Sequence, residues 1–238
     1  GLRNLYLKDD TINPSASSKD RARAFAVMRA LDSGAETIAV ASTGNAGSSL
    51  ACVAAAAGIK AVVFVPESAP VAKLTQALSF GAPVLAVRGS YDDAFEICLS
   101  AASEFGWFNR STGINPFTRE GKKICAWEIW ASLDGRVPDR VVVPTGDGNL
   151  LSAMWKGWWE LKAVGLIDRL PKIDCAQSLG SAAISRTVHR IRNSESTNVR
   201  WSAVDVETVN ASTVADSISV DRPRDGLAAV GAIIESGG

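Results

Sequence analysis

The feature that most restricts the fold of this chain is the alternation of short apolar runs with segments of helical periodicity. Between the first two runs, apolar residues recur at helical spacing from Leu50 to Ala57 and stop at Gly58, which predicts a helix over 46–57. The runs that read as strands are Thr37 to Ala41, Ala61 to Val65, Val84 to Val87, Val141 to Val143 and Ile173 to Ala176. Strand, helix, strand order of this kind predicts an α/β fold with parallel sheets covered by crossover helices.

Helix starts and the division into lobes can also be predicted. Ser90 can cap a helix whose first turn is acidic, and Asp20 lies at the start of a helix that ends before Gly34. The pattern predicts a smaller α/β lobe over 24–113, inserted into a larger lobe made of 1–23 and 114–238. We expect a cleft between two lobes to be the site.

Composition excludes several classes of protein. Among 238 residues, 25 Lys and Arg balance 25 Asp and Glu, so no net charge favours nucleic acid or an anionic membrane as a partner. The most apolar stretch, Leu50 to Val65, is interrupted at Gly58 and Lys60 and is too short to span a bilayer. The four cysteines form no C-x-x-C pair. The chain has a single histidine, His189, and one histidine is not enough for a His-based metal site. We therefore expect no metal, and buried free thiols in a reducing cytoplasm.

A first candidate for chemistry is the turn-forming segment from Asn13 to Arg21, which leads into a helix and places Lys19 at its N-terminus. The helix dipole disfavours an added positive charge there and so lowers the pKa of a lysine. A less protonated amine is the better nucleophile towards a carbonyl carbon. The alternative interpretation is an ordinary solvated lysine at a helix start.

A second candidate is the segment from Ser42 to Ser49, which follows a predicted strand and opens a helix. Ligands of open α/β sheets bind at this position, and the N–H groups of a helix start favour a carboxylate or a phosphate. The amide of Asn45 can donate a hydrogen bond to an oxygen on a bound ring. The alternative is a glycine-rich turn with a Ser or Thr cap and no ligand.

A third candidate is the segment from Pro144 to Asn149, which again joins a strand to a helix. Gly146 and Gly148 allow the backbone to fold tightly round a phosphate. Leu151 stands where a dinucleotide-binding fingerprint needs its third glycine, so the segment does not indicate NAD.

Other residues have structural explanations of similar weight. Lys122 and Lys123 could attract a substrate anion or belong to a solvated helix start. Trp155, Trp158 and Trp159 cluster on one predicted helix, which favours core packing over stacking on nucleic-acid bases.

The three segments, in this order, resemble the signatures of the fold type II family of pyridoxal-phosphate enzymes: N-P-T-G-S-x-K-D-R, S-x-G-N-x-G and a glycine-rich phosphate loop. Within that family the chain is most similar to the threonine synthases. The stretches that match them include Lys73 to Leu78, Tyr91 to Ala94, Ile114 to Pro116, Glu120 to Lys122, Trp155 to Gly157 and Val214 to Ile218.

The resemblance implies a two-lobed fold like that of the tryptophan synthase β subunit, with pyridoxal phosphate as cofactor. It implies that Lys19 bonds to the cofactor and moves protons, and that Asn45 donates to its phenolic oxygen. The loop Gly146, Asp147, Gly148 and Asn149 would hold the cofactor phosphate in the larger lobe, while Ser42, Thr43 and Gly44 would take the α-carboxylate of an amino-acid substrate. The reaction implied is conversion of O-phospho-L-homoserine and water to L-threonine and phosphate. The family also suggests a cytoplasmic enzyme and a homodimer.

Some positions depart from the family pattern. The Thr-Gly before the lysine is Ser15-Ala16 here, its Phe is Ser18, and a usual threonine is Ala46. The family's N-S-x-N-P-x-R is represented by Thr112 to Thr118, with an arginine only at Arg119. We therefore expect Arg119 or Lys122 to bind the substrate phosphate.

The same departures leave alternative functions open: a serine or threonine dehydratase, a β-replacement enzyme, or a non-catalytic relative. Relative to the family, the chain from Gly1 to Gly238 is also expected to be truncated at both ends. In the family, a Ser or Thr of the final segment contacts the pyridine nitrogen, and the resemblance implies that this segment would follow Gly238.

Overall fold

The computed structural model describes residues 4–111, 115–194 and 200–238, over which helices and strands alternate for most of the chain. In chain order the elements are α1 (Lys19–Asp32), β1 (Thr37–Ala41), α2 (Asn45–Ala57), β2 (Lys60–Pro66), α3 (Val71–Ser79), β3 (Val84–Val87), α4 (Tyr91–Glu104), β4 (Phe108–Asn109), α5 (Phe117–Ser132), β5 (Arg140–Pro144), α6 (Asn149–Ala163), β6 (Lys172–Ala176), α7 (Ala183–Arg192) and α8 (Gly226–Ser236). All five predicted strands are present. The helix predicted over 46–57 is α2, and Gly58 ends it in the left-handed conformation at φ 72°.

Local signals predicted the helix starts correctly, and one strand was missed. Ser90 and Asp93 form a reciprocal capping box at the start of α4, in which each side chain bonds the other residue's backbone N–H. Strand β4 has only two residues, Phe108 and Asn109, so it carries no periodicity that a sequence could reveal.

The chain forms two compact units, residues 1–122 and 123–238. The first contains a parallel sheet with strand order β3-β2-β1-β4. Alternate residues of β1 enter two different cores, since Ile38 and Val40 pack with α1 and α2 while Ala39 and Ala41 pack with α4. Helices thus cover both faces, and the carboxyl ends of β1 and β4 open at one edge, where Ser42 and Arg110 follow them.

The second unit pairs β5 with β6 in parallel and packs α6, α7 and α8 against them. Trp158 is fully buried in its core and Trp155 nearly so, which confirms the packing expected of them. Trp159 is 47% exposed and meets Trp155 edge to face, with ring centroids 6.1 Å apart.

The division into a smaller lobe over 24–113 and a larger lobe of 1–23 with 114–238 stays a prediction.

The thiols of all four cysteines are free, and Cys98 and Cys125 are buried as expected, whereas Cys52 and Cys175 are only partly buried. Burial raises the pKa of the Cys98 thiol to about 11, which makes this group a packing residue at neutral pH. His189 is exposed on α7. Within the described ranges, no helix combines the length and apolar character needed to cross a membrane.

Candidate active site

Lys19 is the first residue of α1, and a tight turn delivers it there. In that turn the amide of Asn13 donates to the carbonyl of Ser17 at 3.1 Å, and the N–H of Lys19 donates to Ser17 Oγ at 3.2 Å. The side chain is half-buried, so it is not the fully solvated lysine that we considered as an alternative. A partly buried primary amine at a helix start has the environment that a nucleophilic lysine needs.

The turn contains one strained residue, Ala16, which replaces the family's glycine. Its φ is +54°, a left-handed conformation that a residue with a Cβ adopts at a cost of about 1–2 kcal/mol. The N–H of Ala16 donates to the carbonyl of Asn13 at 2.7 Å, so the turn maintains this conformation by hydrogen bonding.

We expect Ala16→Gly to raise the free energy of unfolding by about 0.5–1 kcal/mol, because the removed strain exceeds the extra chain entropy of glycine. Chemical denaturation monitored by fluorescence measures this change. Ala56→Gly, at an exposed position inside α2, is the matched control and should instead lower stability by about 0.5–1 kcal/mol. Equal losses in the two variants would contradict the assignment of strain to Ala16.

Asp20, which the sequence suggested only as a favourable first-turn acid, is the centre of a buried hydrogen-bond network. Its carboxylate accepts from the N–H of Ser15 at 2.8 Å, from Ser15 Oγ and from Ser49 Oγ. Gln76 of α3 donates to the carbonyl of Ser15 at 3.1 Å and so holds the same turn from another side. The residue after the lysine thus joins the turn before it to helix α2.

Two arginines are buried in the same unit, and no sequence pattern indicated them. Arg23 Nε donates to the carbonyl of Ala46 at 3.1 Å, while its Nη1 has no hydrogen-bond partner among the residues described. Burial, and then the positive charge of Arg110, hold the pKa of Arg23 well below its ordinary value, against the opposing effect of Asp20. Burial likewise lowers the pKa of Arg110 to about 9. The carboxylate of Asp20 thus partly offsets, for Arg23, the effects of burial and of Arg110.

The predicted turn from Ser42 to Asn45 lies at the carboxyl edge of the sheet, between β1 and α2. Gly44, in an extended conformation, precedes the helix and donates to Ser42 Oγ at 3.3 Å. No side chain caps α2 in the part of the chain that is described, so the expected alternative of a Ser or Thr cap is wrong. A Cβ on Gly47 would lie 2.9 Å from the carbonyl oxygen of Ser42, which shows how closely the helix start approaches the end of the strand.

The predicted phosphate loop lies in the second unit, at the start of α6. Gly148 precedes the helix with φ +88°, and no side chain caps α6 within the described residues. A helix start with this glycine and without a side-chain cap is suited to a phosphate group.

The loop's own side chains bond mainly to protein. Asp147 accepts from the N–H of Arg224 at 3.2 Å, and Asn149 donates to the carboxylate of Asp225. A Cβ on Gly148 would lie 2.9 Å from the carbonyl oxygen of Asp225, and one on Gly146 would lie 3.0 Å from Ile218 Cα. The glycines thus allow close approach of the segments around Ile218 and Asp225. Since the side chains of the loop are bonded to protein, its backbone N–H groups are the donors available to a phosphate.

The candidate anion-binding residues Arg119 and Lys122 lie in the first two turns of α5. Asn115 starts this helix, because its Oδ1 accepts from the N–H of Phe117 at 3.0 Å and its amide donates to the carbonyl of Asn109 at 3.1 Å. Lys122 is only 5% exposed, so a solvated helix start is the wrong interpretation for it. Residues 112–114 of the altered family motif lie outside the described residues.

A scan of protein-family models matches residues 1–238 to the pyridoxal-phosphate-dependent enzymes. The chain belongs to this family. The family match confirms pyridoxal phosphate as cofactor. Within the first unit the amine of Lys19 suits an aldehyde group, and within the second unit the start of α6, which no side chain caps, suits a phosphate group.

Sequence comparison finds relatives named threonine synthase. The protein of Methanocaldococcus jannaschii is 38% identical over 239 aligned residues, which cover 100% of this chain and 56% of the relative. The protein of Mycobacterium tuberculosis is 37% identical over 181 residues, covering 76% of this chain and 50% of the relative. The chain thus spans about half the length of these relatives.

Structure comparison confirms the expected fold class. A threonine deaminase from Solanum lycopersicum superposes with a TM-score of 0.74 at 20% identity, covering 94% of this chain and 61% of that one. A pyridoxal 5'-phosphate-dependent aspartate racemase superposes with a TM-score of 0.71, also at 20% identity, over 94% of this chain and 64% of that one. At such identity the likeness establishes the fold and no substrate.

Proposed function

We propose that this chain carries the active site of a threonine synthase, which converts O-phospho-L-homoserine and water to L-threonine and phosphate. The observation that supports it most is the 38% identity to a threonine synthase across the whole chain, which includes Lys19, the Ser42–Asn45 turn and the Gly146–Asn149 loop. The half-buried amine of Lys19 at the start of α1 supports the same reaction chemistry.

Each candidate residue has a distinct role in this proposal. Bound pyridoxal phosphate supplies an electron sink for negative charge that develops on the substrate carbons. Lys19 Nζ would hold the cofactor through its aldehyde group, and as a free amine it would carry protons between substrate carbons. Asn45 would donate to the ring oxygen, and the backbone from Gly146 to Asn149 with the start of α6 would bind the phosphate of the cofactor.

Substrate binding is assigned to the first unit. The N–H groups at the start of α2, with Ser42, Thr43 and Gly44, bind the α-carboxylate. Arg119 or Lys122 binds the substrate phosphate, since each supplies a cation in the first two turns of α5. The expected homodimer and cytoplasmic location stay predictions.

One observation favours a second candidate, an amino-acid dehydratase or a β-replacement enzyme. Thr118 stands where the family motif has its arginine, and it is 1% exposed with its hydroxyl donating to the carbonyl of Asn115 at 2.9 Å. A buried hydroxyl bonded in this way cannot replace a guanidinium as a phosphate ligand. The synthase therefore depends on a cation outside the motif, whereas a dehydratase needs none.

Product analysis distinguishes the two. The protein is incubated with pyridoxal phosphate and either O-phospho-L-homoserine, L-threonine or L-serine, and phosphate, threonine, keto acid and ammonia are measured. We expect phosphate and threonine in equal amounts from O-phospho-L-homoserine, and Arg119→Gln or Lys122→Gln should raise KM for it at least about tenfold, as loss of a charge-assisted contact predicts. Keto acid and ammonia from threonine or serine, with no phosphate released from O-phospho-L-homoserine, would instead establish the dehydratase. No turnover of any substrate would favour the non-catalytic relative.

A further inference from the structure

Helices α1 and α2 each carry a candidate cofactor residue at their first position. One turn later, each carries a residue that hydrogen-bonds to the other helix. Lys19 and Arg23 are four residues apart on α1, and Asn45 and Ser49 are four residues apart on α2. Residues with this spacing lie on the same face of a helix. Arg23 and Ser49 therefore lie on the same helix faces as Lys19 and Asn45.

Two hydrogen bonds connect these helices near their starts, one of them buried and the other partly buried. Ser49 Oγ donates to the carboxylate of Asp20, and Arg23 Nε donates to the carbonyl of Ala46 at 3.1 Å. Ser49 and Arg23 are at most 1% exposed and Asp20 is 7% exposed, so water cannot easily replace either bond. Sliding or rotation of α1 against α2 would break at least one of these two contacts.

The turn before Lys19 depends on the same carboxylate. Asp20 accepts from both the N–H and the hydroxyl of Ser15, so the chain on the other side of Lys19 is also held. The backbone of Lys19 is therefore held on both sides, by Ser15 before it and by helix α1 after it.

We propose that Asp20 is a positioning residue that holds Lys19 and Asn45 in one fixed spatial relation through its hydrogen bonds to Ser15 and Ser49. The inference rests on the proposed function, because that function makes Lys19 and Asn45 the two groups that must meet one cofactor ring. Bond formation at Lys19 requires the ring to be oriented, and Asn45 can orient it only if α2 keeps its place relative to α1.

If the network were purely structural, mutations in it would change stability alone. A double-mutant cycle distinguishes this structural role from the positioning role. Ser49→Ala removes one hydroxyl and retains the other bonds of Asp20, so the variant should fold. We expect it to weaken pyridoxal-phosphate affinity about five- to tenfold, because Asn45 is then held less firmly where it meets the ring. Asn45→Ala should weaken pyridoxal-phosphate affinity much less in the Ser49→Ala background than in the unmutated protein. The reason is that Asn45 is already displaced from the ring when Ser49 is absent.

The readouts are the dissociation constant of pyridoxal phosphate and the fraction of Lys19 trapped by borohydride, located by peptide mass. Thermal unfolding is recorded for every variant. Thr187→Ala is the matched control, because it removes a buried hydroxyl in the second unit that donates to Ala183 at 2.8 Å and accepts from the N–H of Glu207 at 3.0 Å. This control should lower Tm and leave affinity and trapping within about twofold of the unmutated protein.

Asp20→Glu and Asp20→Asn extend the test. Asp20→Asn should lose more trapping than Asp20→Glu, which keeps the charge opposite Arg23. Independent, multiplicative effects of Asn45→Ala and Ser49→Ala, or unchanged affinity in Ser49→Ala, would overturn the positioning role. Absence of any trapped label on Lys19 in the unmutated protein would overturn the proposed function first, and the inference with it.

Discussion

Replacing Lys19 by alanine should abolish covalent attachment of pyridoxal phosphate and lower kcat by at least about a thousandfold, the scale of losing both a nucleophile and a proton carrier. Lys19 is the half-buried amine at the start of α1, directly before the hydrogen-bonded Asp20. Borohydride reduction of the loaded protein followed by peptide mass measurement detects the attachment. The visible absorbance of lysine-bound cofactor should disappear with it.

Two further variants make this result specific. Lys60→Ala removes an exposed lysine at the start of β2 and should leave both attachment and turnover unchanged. Lys19→Arg keeps the positive charge, but a guanidinium stays protonated and is no nucleophile, so it should be as inactive as alanine. A label that persists in Lys19→Ala, for example on the buried Lys122, would refute the assignment of the cofactor lysine.

Replacing Gly121 by alanine should destabilise the first unit by about 3 kcal/mol or more. A Cβ at this position would lie 2.2 Å from the carbonyl oxygen of Arg21 and 2.7 Å from Ala22 Cα, and both of these are backbone atoms of α1 that cannot turn aside. The start of α5 would have to move away from α1, with loss of buried contacts. Denaturant unfolding measures the change, and pyridoxal-phosphate affinity should fall too because Lys19 begins α1.

The matched control is Gly231→Ala on α8, where the nearest atom to the new Cβ is a Trp201 ring carbon at 3.9 Å. There, alanine should raise stability by about 0.5–1 kcal/mol, since it has the better helix propensity. A Gly121→Ala variant that is as stable as the unmutated protein would show that α5 can shift at little cost.

Much of the fold followed from local patterns. The five strands from β1 to β3, β5 and β6 and the start of α4 were predictable because side-chain alternation, capping and helix stops are written within a few consecutive residues. Strand β4 was not predictable, because two residues become a strand only when β1 is present to pair with them.

The candidate site shows the same division between local and long-range information. The sequence by itself determined the order of the elements, the family, and the position of Lys19, Asn45 and the Gly146–Asn149 loop at helix starts. Each of these depends on neighbours in the chain.

Only the tertiary structure decided that Asp20 bonds Ser49, that Arg23 is buried beside α2, and that Lys122 is shielded from water. Asp20 and Ser49 are 29 positions apart, and no local pattern encodes a contact between them. Their hydrogen bond exists because the packing of α1 on α2 removes both groups from water, and a buried polar group is stable only where another one meets it.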